Sequence, residues 1–553
     1  MIRTALLVLL VAGASACVSE AKVTILEPGT AAMLPAGQPV VVRVLVEGDE
    51  ALVGDQTVGK GTHDVTVPAA DGLGFVTARV PGDPLIAVRS WHQGVYRPAR
   101  DWHAGTLALH LGQDPLGSGP GSVAGLVSGL LTGEELEAFV PDPLQTQVSI
   151  TLPVVGAVSA AVNISVTSVV SPDVTVDLVH AGDGIALEAV LLDVPVTFTA
   201  TAVSYPYSCT GTALYDEIRV TGSLTATATD AVLSGVQSST VGPDITCSGA
   251  LPLSEDLPPV QALLAEEVPP AIAAAAQAAA SAVLPLLLRE LTPTVGIDFD
   301  QPITVDTRPG TFAQLATGID LAHDTRIAAA TPAVAAADHG VLERLAAEAA
   351  DDATGLTVAV GSALINAIAF SVWDAGNLQG LQFTKDELEA LGMAPLEFPY
   401  DKLQSVDLTL LLPPLLEWDA TGPRLDVGGI EIALSVETMG SATAWTAASV
   451  PVRLVPDGTG LRLEPDPDRA VTLRDVGFDR MSDLADTDKV MTLLETAVPG
   501  VITSVFGTLP TLELRPIPTT RLSGDPGPVV VPALVGVEAR ADSWRLSLVL
   551  GLE

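Results

Sequence analysis

Hydrophobic positions along this chain recur with two periods, and the alternation between them lays out its elements. In "VNISVTSVV" Val162, Ile164 and Val166 alternate with Asn163, Ser165 and Thr167, and in "SLTATATDAVL" Leu224, Ala226 and Ala228 alternate with threonines. Period two of this kind predicts strands with one buried and one wet face. "IEIALSVET" places Ile430, Ile432, Leu434 and Val436 on one face, and the closing "SWRLSLVLGL" does the same with Trp544, Leu546, Leu548 and Leu550. Helical spacing appears from about Ser254 to Leu291, first in Leu257, Val260, Leu263 and Leu264, then in Val283, Leu284, Leu287 and Leu288. Pro269, Pro270 and Pro285 are expected to bend that helix. A further helix is predicted from about Thr487 to Phe506, with Val490, Leu494, Val498, Val501 and Val505 in one stripe.

One helix fits neither a wet-faced nor a simple amphipathic pattern. In "ALINAIAFSVWDAGNL", Leu364, Ile368, Val372 and Ala375 form one stripe, Ile365 and Ala369 a second, and Phe370 and Trp373 a third. Only Asn366, Ser371 and Asp374 interrupt it. Such a helix must be covered on several sides, either by protein or by an apolar ligand. The segment "PPAIAAAAQAAASAVLPLLL" is long and uncharged enough to span a bilayer. Its alanines, the central Gln277 and the flanking prolines fit better a close-packed helix lying along a sheet.

Before these elements, residues 22–112 read as short β-rich runs between Gly, Pro and Asp turns, with the pattern of an immunoglobulin-like sandwich. "GQDPLGSGPGSVAG" then reads as a flexible linker, residues 113–121. Residues 122–330 and 331–553 form the two remaining units, a division in keeping with the length of 553 residues.

Charge changes the picture. With 26 basic against 66 acidic residues the net charge is -40, which repels phosphate backbones and excludes nucleic acid as a partner. Charged residues are nevertheless only 17% of the chain and mean hydropathy is +0.44. At the N-terminus Arg3 precedes the apolar run "ALLVLLVAGA", too short to span a bilayer and followed by "ASA" and Cys17, as in a secretion signal. "ASAC" resembles a bacterial lipobox, which implies residues 1–16 as a lipoprotein signal peptide and Cys17 as a lipid anchor to the membrane. Ala14 stands where that pattern prefers Leu, so a secreted protein is the alternative. Val18, where Asp marks inner-membrane retention, points to the outer membrane, facing periplasm or cell surface. Of three cysteines, Cys209 and Cys247 can pair in an oxidising compartment, which leaves Cys17 as the odd one at the cleavage site.

Candidate chemistry subtracts more than it adds. "GDQTVGKGT" has phosphate-loop glycines and Lys60, but Gly61 stands where Ser or Thr should hold magnesium, and its flanks read as a hairpin. His63, His92, His103 and His110 lack the spacing of a metal site and read as surface or turn residues. "EPDPDRAV" lacks the glycine of a calcium loop. No Gly-x-Ser-x-Gly elbow and no spare thiol is present. The expectation is a protein that is not an enzyme and takes no cofactor and no metal.

From about Ser122 onward the order of elements resembles the superfamily of bactericidal/permeability-increasing protein, lipopolysaccharide-binding protein and lipid transfer proteins. The resemblance is carried by "VAVGSALINAIAFSVWDAGNLQGLQFTKDEL", with support from "LPPLLEWDATGPRLDVGGIEIAL", "VGPDITCSG" and "LELRPIPTTRLSG". It implies an α+β fold of two elongated, twisted antiparallel barrels, each wrapped round a long helix and joined by a central sheet into a boomerang, here preceded by the all-β front domain. It also implies lipid or another apolar ligand in elongated pockets, near Val260, Leu263, Leu264, Leu364, Ile368, Leu494, Val498 and Val501. The family's cationic tip has no counterpart in this sequence. Cys247 matches a cysteine of the family's disulfide, but the helical partner is absent, so Cys209 on a neighbouring strand is the partner available. The function expected is sequestration or transfer of lipid by a membrane-anchored, extracytoplasmic protein. The alternative is a structural or adhesive lipoprotein whose front domain is the binding module, its protein partner unknown.

Overall fold

The computed structural model describes residues 18–552 apart from 21, 118, 120, 134–135, 153–155, 183, 250–257, 292–293, 297–302, 334–339, 345, 348–353, 391–402, 438–439, 458–459 and 483–510. Most of these residues lie in strands, gathered into curled half-barrel sheets with few helices.

A short strand Val18–Glu20 (β1) is followed by Val23–Glu27 (β2), Ala32–Pro35 (β3), Val40–Val53 (β4), Gln56–Val67 (β5), Gly72–Arg79 (β6) and Ile86–Gly94 (β7). Strands β2 to β7 make one sheet in which β2 pairs antiparallel with β4 and β3 pairs parallel with β7. Alternating valines of β4 (Val40, Val42, Val44, Val46) and Trp91 fill its own core. The supposed phosphate loop is the β4–β5 hairpin, turned at Gly54, where φ is +54°.

The next strand, His103–Leu111 (β8), does not belong to this front unit. It is an interior strand of a seven-stranded central sheet, and the expected boundary at residue 112 is thereby displaced. The linker expectation fails with it: Gln113–Leu116 (α1) is helical, and Gly112 N and Asp114 N donate to Gly355 O (2.9 Å) and Thr354 O (2.7 Å). Gly119 and Gly121 here lie against the central sheet, across from Leu356 and Leu550, rather than in a loose tether.

Helix Val123–Leu131 (α2) leads into the first half, made of Leu144–Leu152 (β9), Gly156–Val169 (β10), Asp173–Ala181 (β11), Gly184–Ala202 (β12), Ser208–Ala226 (β13), Ala231–Val241 (β14) and Asp244–Gly249 (β15). The sheet order is β9-β10-β12-β13-β14, with β11 on β12 and β15 on β13. Its concave face holds the 33-residue helix Pro258–Glu290 (α3), which packs on β9, β13 and β14 and runs unbroken through Pro269, Pro270 and Pro285. Alanines at 275, 276, 279 and 280 are fully buried, as close approach of helix to sheet requires. Long and apolar enough to cross a membrane, the helix is mostly packed inside the protein.

Ile303–Leu315 (β16), Gly318–Ala329 (β17) and Leu356–Gly361 (β18) join β8 in the central sheet, and the helix Ser362–Asp374 (α4) follows. An eleven-stranded sheet takes Leu403–Leu410 (β19), Leu415–Asp419 (β20), Gly422–Val436 (β21), Gly440–Asp457 (β22), Gly460–Pro465 (β23) and Gly477–Ser482 (β24), and β1 pairs with β24. The chain returns to the central sheet through Ile517–Thr520 (β25), Pro526–Arg540 (β26) and Ser543–Leu552 (β27), giving the order β16-β17-β8-β18-β27-β26-β25. The predicted helix from Thr487 to Phe506 lies outside the described residues.

The front unit is docked, not tethered. Ser90 Oγ accepts from Gly429 N at 2.6 Å, and Arg344 pairs with Glu417 beside Gly72. At Gly477 a Cβ would stand 2.4 Å from Ile86 O, so only glycine lets β24 run this close to β7.

Candidate functional site

The helix that posed the covering question is covered by protein. Every residue of α4 except Asp374 is buried, with Leu364 at 0% and Ile368 at 4% exposure. It packs on β17 and β8 of the central sheet and on β20 of the second half. Its polar interruptions are attachments. Asn366 Oδ1 accepts from Leu416 N at 2.6 Å, Ser371 Oγ donates to Ile327 O at 2.9 Å, and Asp374 O accepts from Ala333 N at 2.7 Å. Trp373 Nε1 donates to Leu410 O at 2.7 Å. Beside Asn366 and Phe370 lies a cavity of about 10 Å³, room for one water and no acyl chain.

On α3, Val260 and Leu264 are at 0% exposure and Leu263 is partly buried against the same core. These residues, with Leu364 and Ile368, are absent from the linings of the small cavities beside Ser90 and beside Asn366 and of the groove at the central sheet. Leu494, Val498 and Val501 lie outside the described residues, as does Cys17, although Val18 directly after it opens the strand paired with β24. Cys209 and Cys247 form a disulfide with Cα atoms 6.0 Å apart. They sit diagonally across β13 and β15, where Cys209 faces Gly249 and Gly211 faces Cys247.

A larger opening lies elsewhere, where the α1–α2 connection crosses the central sheet. A groove of about 280 Å³ opens between Asp114, Pro115, Gly119, Gly121 and Ser122 on one side and Gly355, Leu356, Leu548, Val549 and Leu550 on the other. Its floor is β18 and β27, whose alternation turns Leu356 and Leu548 inward while Val549 is 53% exposed. Its roof is held by the bonds from Gly112 and Asp114 to the β18 approach. At Gly121 a Cβ would lie 1.9 Å from Leu550 O, so the chain can cross β27 here only as glycine. Ser122 then caps α2, accepting from Gly125 N at 3.0 Å and donating to Gly119 O at 2.6 Å. Asp114 is the one ionisable lining residue. The lining is apolar apart from Asp114, Ser122 and backbone groups. The alternation of "SWRLSLVLGL" predicted this floor as a strand; nothing in the linker's composition signalled the roof.

The histidines expected at the surface are mostly inside: His92, His103 and His110 are exposed by 1%, 5% and 3%. They lie on β7 and β8, strands covered on both faces, which local pattern could not reveal. His110 Nδ1 meets Asp320 Oδ1 at 2.7 Å across β8 and β17. Burial lowers the His103 and His180 pKa values and pushes His323 down to about 4. Burial likewise raises Glu417, against the pull of Arg344. No group of His, Cys, Asp and Glu among the described residues is arranged to hold a metal.

Fold and groove together define a mostly-sheet protein of curled half-barrels, one wrapped round a long helix, with an apolar groove at the central sheet. No family model matches the chain, and no curated protein matches it. Among solved structures it is similar to a lipopolysaccharide binding protein, at 14% identity and a TM-score of 0.41, over 81% of this chain and 99% of that one. It is also similar to P47 of Clostridium botulinum E1 (7% identity, 81% and 99% covered, TM-score 0.23) and to P47 from Clostridium botulinum A2 (8%, 81% and 97%, 0.23).

Proposed function

We propose that this protein binds lipid or a similar apolar molecule and carries or sequesters it outside the cytoplasm, held to the outer membrane through an acylated Cys17. The observation that carries the reading is the groove: Pro115, Leu356, Leu548 and Leu550 line about 280 Å³ beside one carboxylate and no cation. Partition drives binding, each methylene moved from water contributing about 0.8 kcal/mol. No bond is made or broken, and the protein is not an enzyme. The order of elements from about Ser122 onward, which resembles that of the lipid-transfer superfamily, supports the same reading.

Detergent-free protein, studied by native mass spectrometry and then by solvent extraction, tests it. Stoichiometric lipid adducts are expected. A bare mass that also resists loading from vesicles sinks the proposal. That outcome favours a second reading, a structural spacer, to which the complete protein cover of α4 and the full burial of Val260 and Leu264 lend support.

A further inference from the structure

Charge is unevenly placed in the first half. Residues 143–172, 194–215 and 245–249 contain no charged residue, in a chain with 66 acidic ones. Strand pairing brings these three runs to one end of the seven-stranded sheet. There β9 turns into β10 between Leu152 and Gly156, β12 turns into β13 after Thr201 faces Ser208, and β15 ends with Gly249 opposite Cys209. Val203 N donates to Ala161 O at 2.9 Å and ties the β12–β13 turn to β10. The nearest charges on the β12–β13 hairpin, Asp193 and Asp216, stand about ten positions back, roughly 30 Å at the strand rise.

The turn itself reads Val203-Ser204-Tyr205-Pro206-Tyr207. Val203 is 59% exposed, and the tyrosine rings stack with centroids 6.5 Å apart, each partly buried against the core. Behind the turn the outward face is a lattice of hydroxyls, with Thr197 opposite Thr212, Thr199 opposite Thr210, and Thr210 opposite Ser248. Tyrosine has an apolar body and a polar tip and gathers at lipid–water boundaries. Hydroxyls enter that zone at far lower cost than carboxylates. Elsewhere the net charge of -40 keeps the protein off an anionic surface.

We propose that this uncharged end of the first half is a bilayer-docking surface that seats Val203, Tyr205, Pro206 and Tyr207 at the interface of a zwitterionic membrane. The surface is separate from the groove and acts whether or not the groove is filled.

The test is co-sedimentation of the full chain with sucrose-loaded phosphatidylcholine vesicles, Cys17→Ser being present throughout so that no acyl anchor contributes. Tyr205→Asp with Tyr207→Asp is expected to lower vesicle partition roughly tenfold or more. Val41→Asp, at an exposed valine of the front sheet, is expected to leave it unchanged. Tyr205→Trp with Tyr207→Trp retains partition, and its fluorescence shifts to the blue when vesicles are added. An unchanged melting temperature and an intact Cys209–Cys247 bridge confirm that the Asp variant is folded. Equal partition of parent and Asp variant overturns the proposal. So does a parent that ignores vesicles but forms a dimer the Asp variant cannot, since the occupant is then a second copy of the chain. Lipid extracted from the same preparations keeps the two readings apart: a protein that docks yet yields none refutes the groove alone, and one that yields lipid yet never docks refutes the docking surface alone.

Discussion

Replacing Asn366 by Leu tests whether α4 is held by protein on every side. The side chain is 3% exposed in a helix otherwise lined by Leu364, Ile365, Ile368 and Phe370. Its amide spans both backbone groups of Leu416, accepting from the N–H at 2.6 Å and donating to the carbonyl at 3.5 Å. The second contact is at the limit of a hydrogen bond and contributes little. Leu416 is itself at 0% exposure, so its N–H finds no water when the amide is removed. A buried donor left unpaired costs about 1–3 kcal/mol. Leucine has the branching of Asn and returns some apolar burial, but its two methyl groups are bulkier than the flat amide and meet the strand where it lay. The expected net loss is about 2 kcal/mol.

Urea unfolding followed by tryptophan fluorescence measures this loss, because Trp373 and Trp418 stand on the two elements that Asn366 joins. The slope against denaturant must stay constant for the midpoint shift to be read as stability. Asn366→Asp keeps an acceptor for Leu416 N but buries a carboxylate facing Leu416 O, so it is expected to lose at least as much as Leu does at neutral pH. A change under about 0.5 kcal/mol for Asn366→Leu would show that the helix is not anchored through Leu416.

Three further outcomes follow from other parts of the molecule. Cys209→Ser with Cys247→Ser opens a loop whose ends are separated by 38 positions, and chain-entropy reasoning puts the loss at about 4 kcal/mol; matching unfolding curves with and without reductant would contradict it. His323 is held down to about 4, whereas an unfolded histidine titrates near 6.5. Between those values the unfolded chain binds the extra proton, so stability falls as pH drops, by about 2 kcal/mol at pH 5; His323→Leu should flatten urea midpoints measured between pH 7 and pH 5. Leu550→Glu places a carboxylate in the groove at a partly exposed position and should cut extractable lipid roughly tenfold, unchanged occupancy removing β27 from the site.

How much of this was legible before folding depended on the range of the cause. Val162, Ile164 and Val166 on β10, and Trp544, Leu546 and Leu548 on β27, are buried as their period-two spacing required. The α3 helix falls within one to four residues of its predicted ends, because its stripe and its leading prolines are local signals. The Cys209–Cys247 bridge followed from arithmetic on three cysteines and from where Cys247 sits. Whether α4 is covered by protein or by ligand was not in its own letters, since both covers demand the same apolar surface. Asn366 and Ser371 were visible as interruptions, but their partners Leu416 and Ile327 lie 50 and 44 positions away.

The boundary drawn at residue 112 shows the same limit from the other side. Short strands between Gly, Pro and Asp turns continue from β7 into β8 without any change of composition, so the text offers no reason to divide them. Pairing divides them. Leu109 and Leu111 on β8 find Leu321, Ile319, Val358 and Leu356 on β17 and β18, more than two hundred positions ahead. Once β8 is committed there, α1 and the turn at Gly121 have to lie across β18 and β27, and the groove is the space left beneath them. The site therefore arises from a long-range choice of strand partner, and a Gly- and Pro-rich stretch is compatible equally with a loose tether and with a roof fixed by two backbone hydrogen bonds.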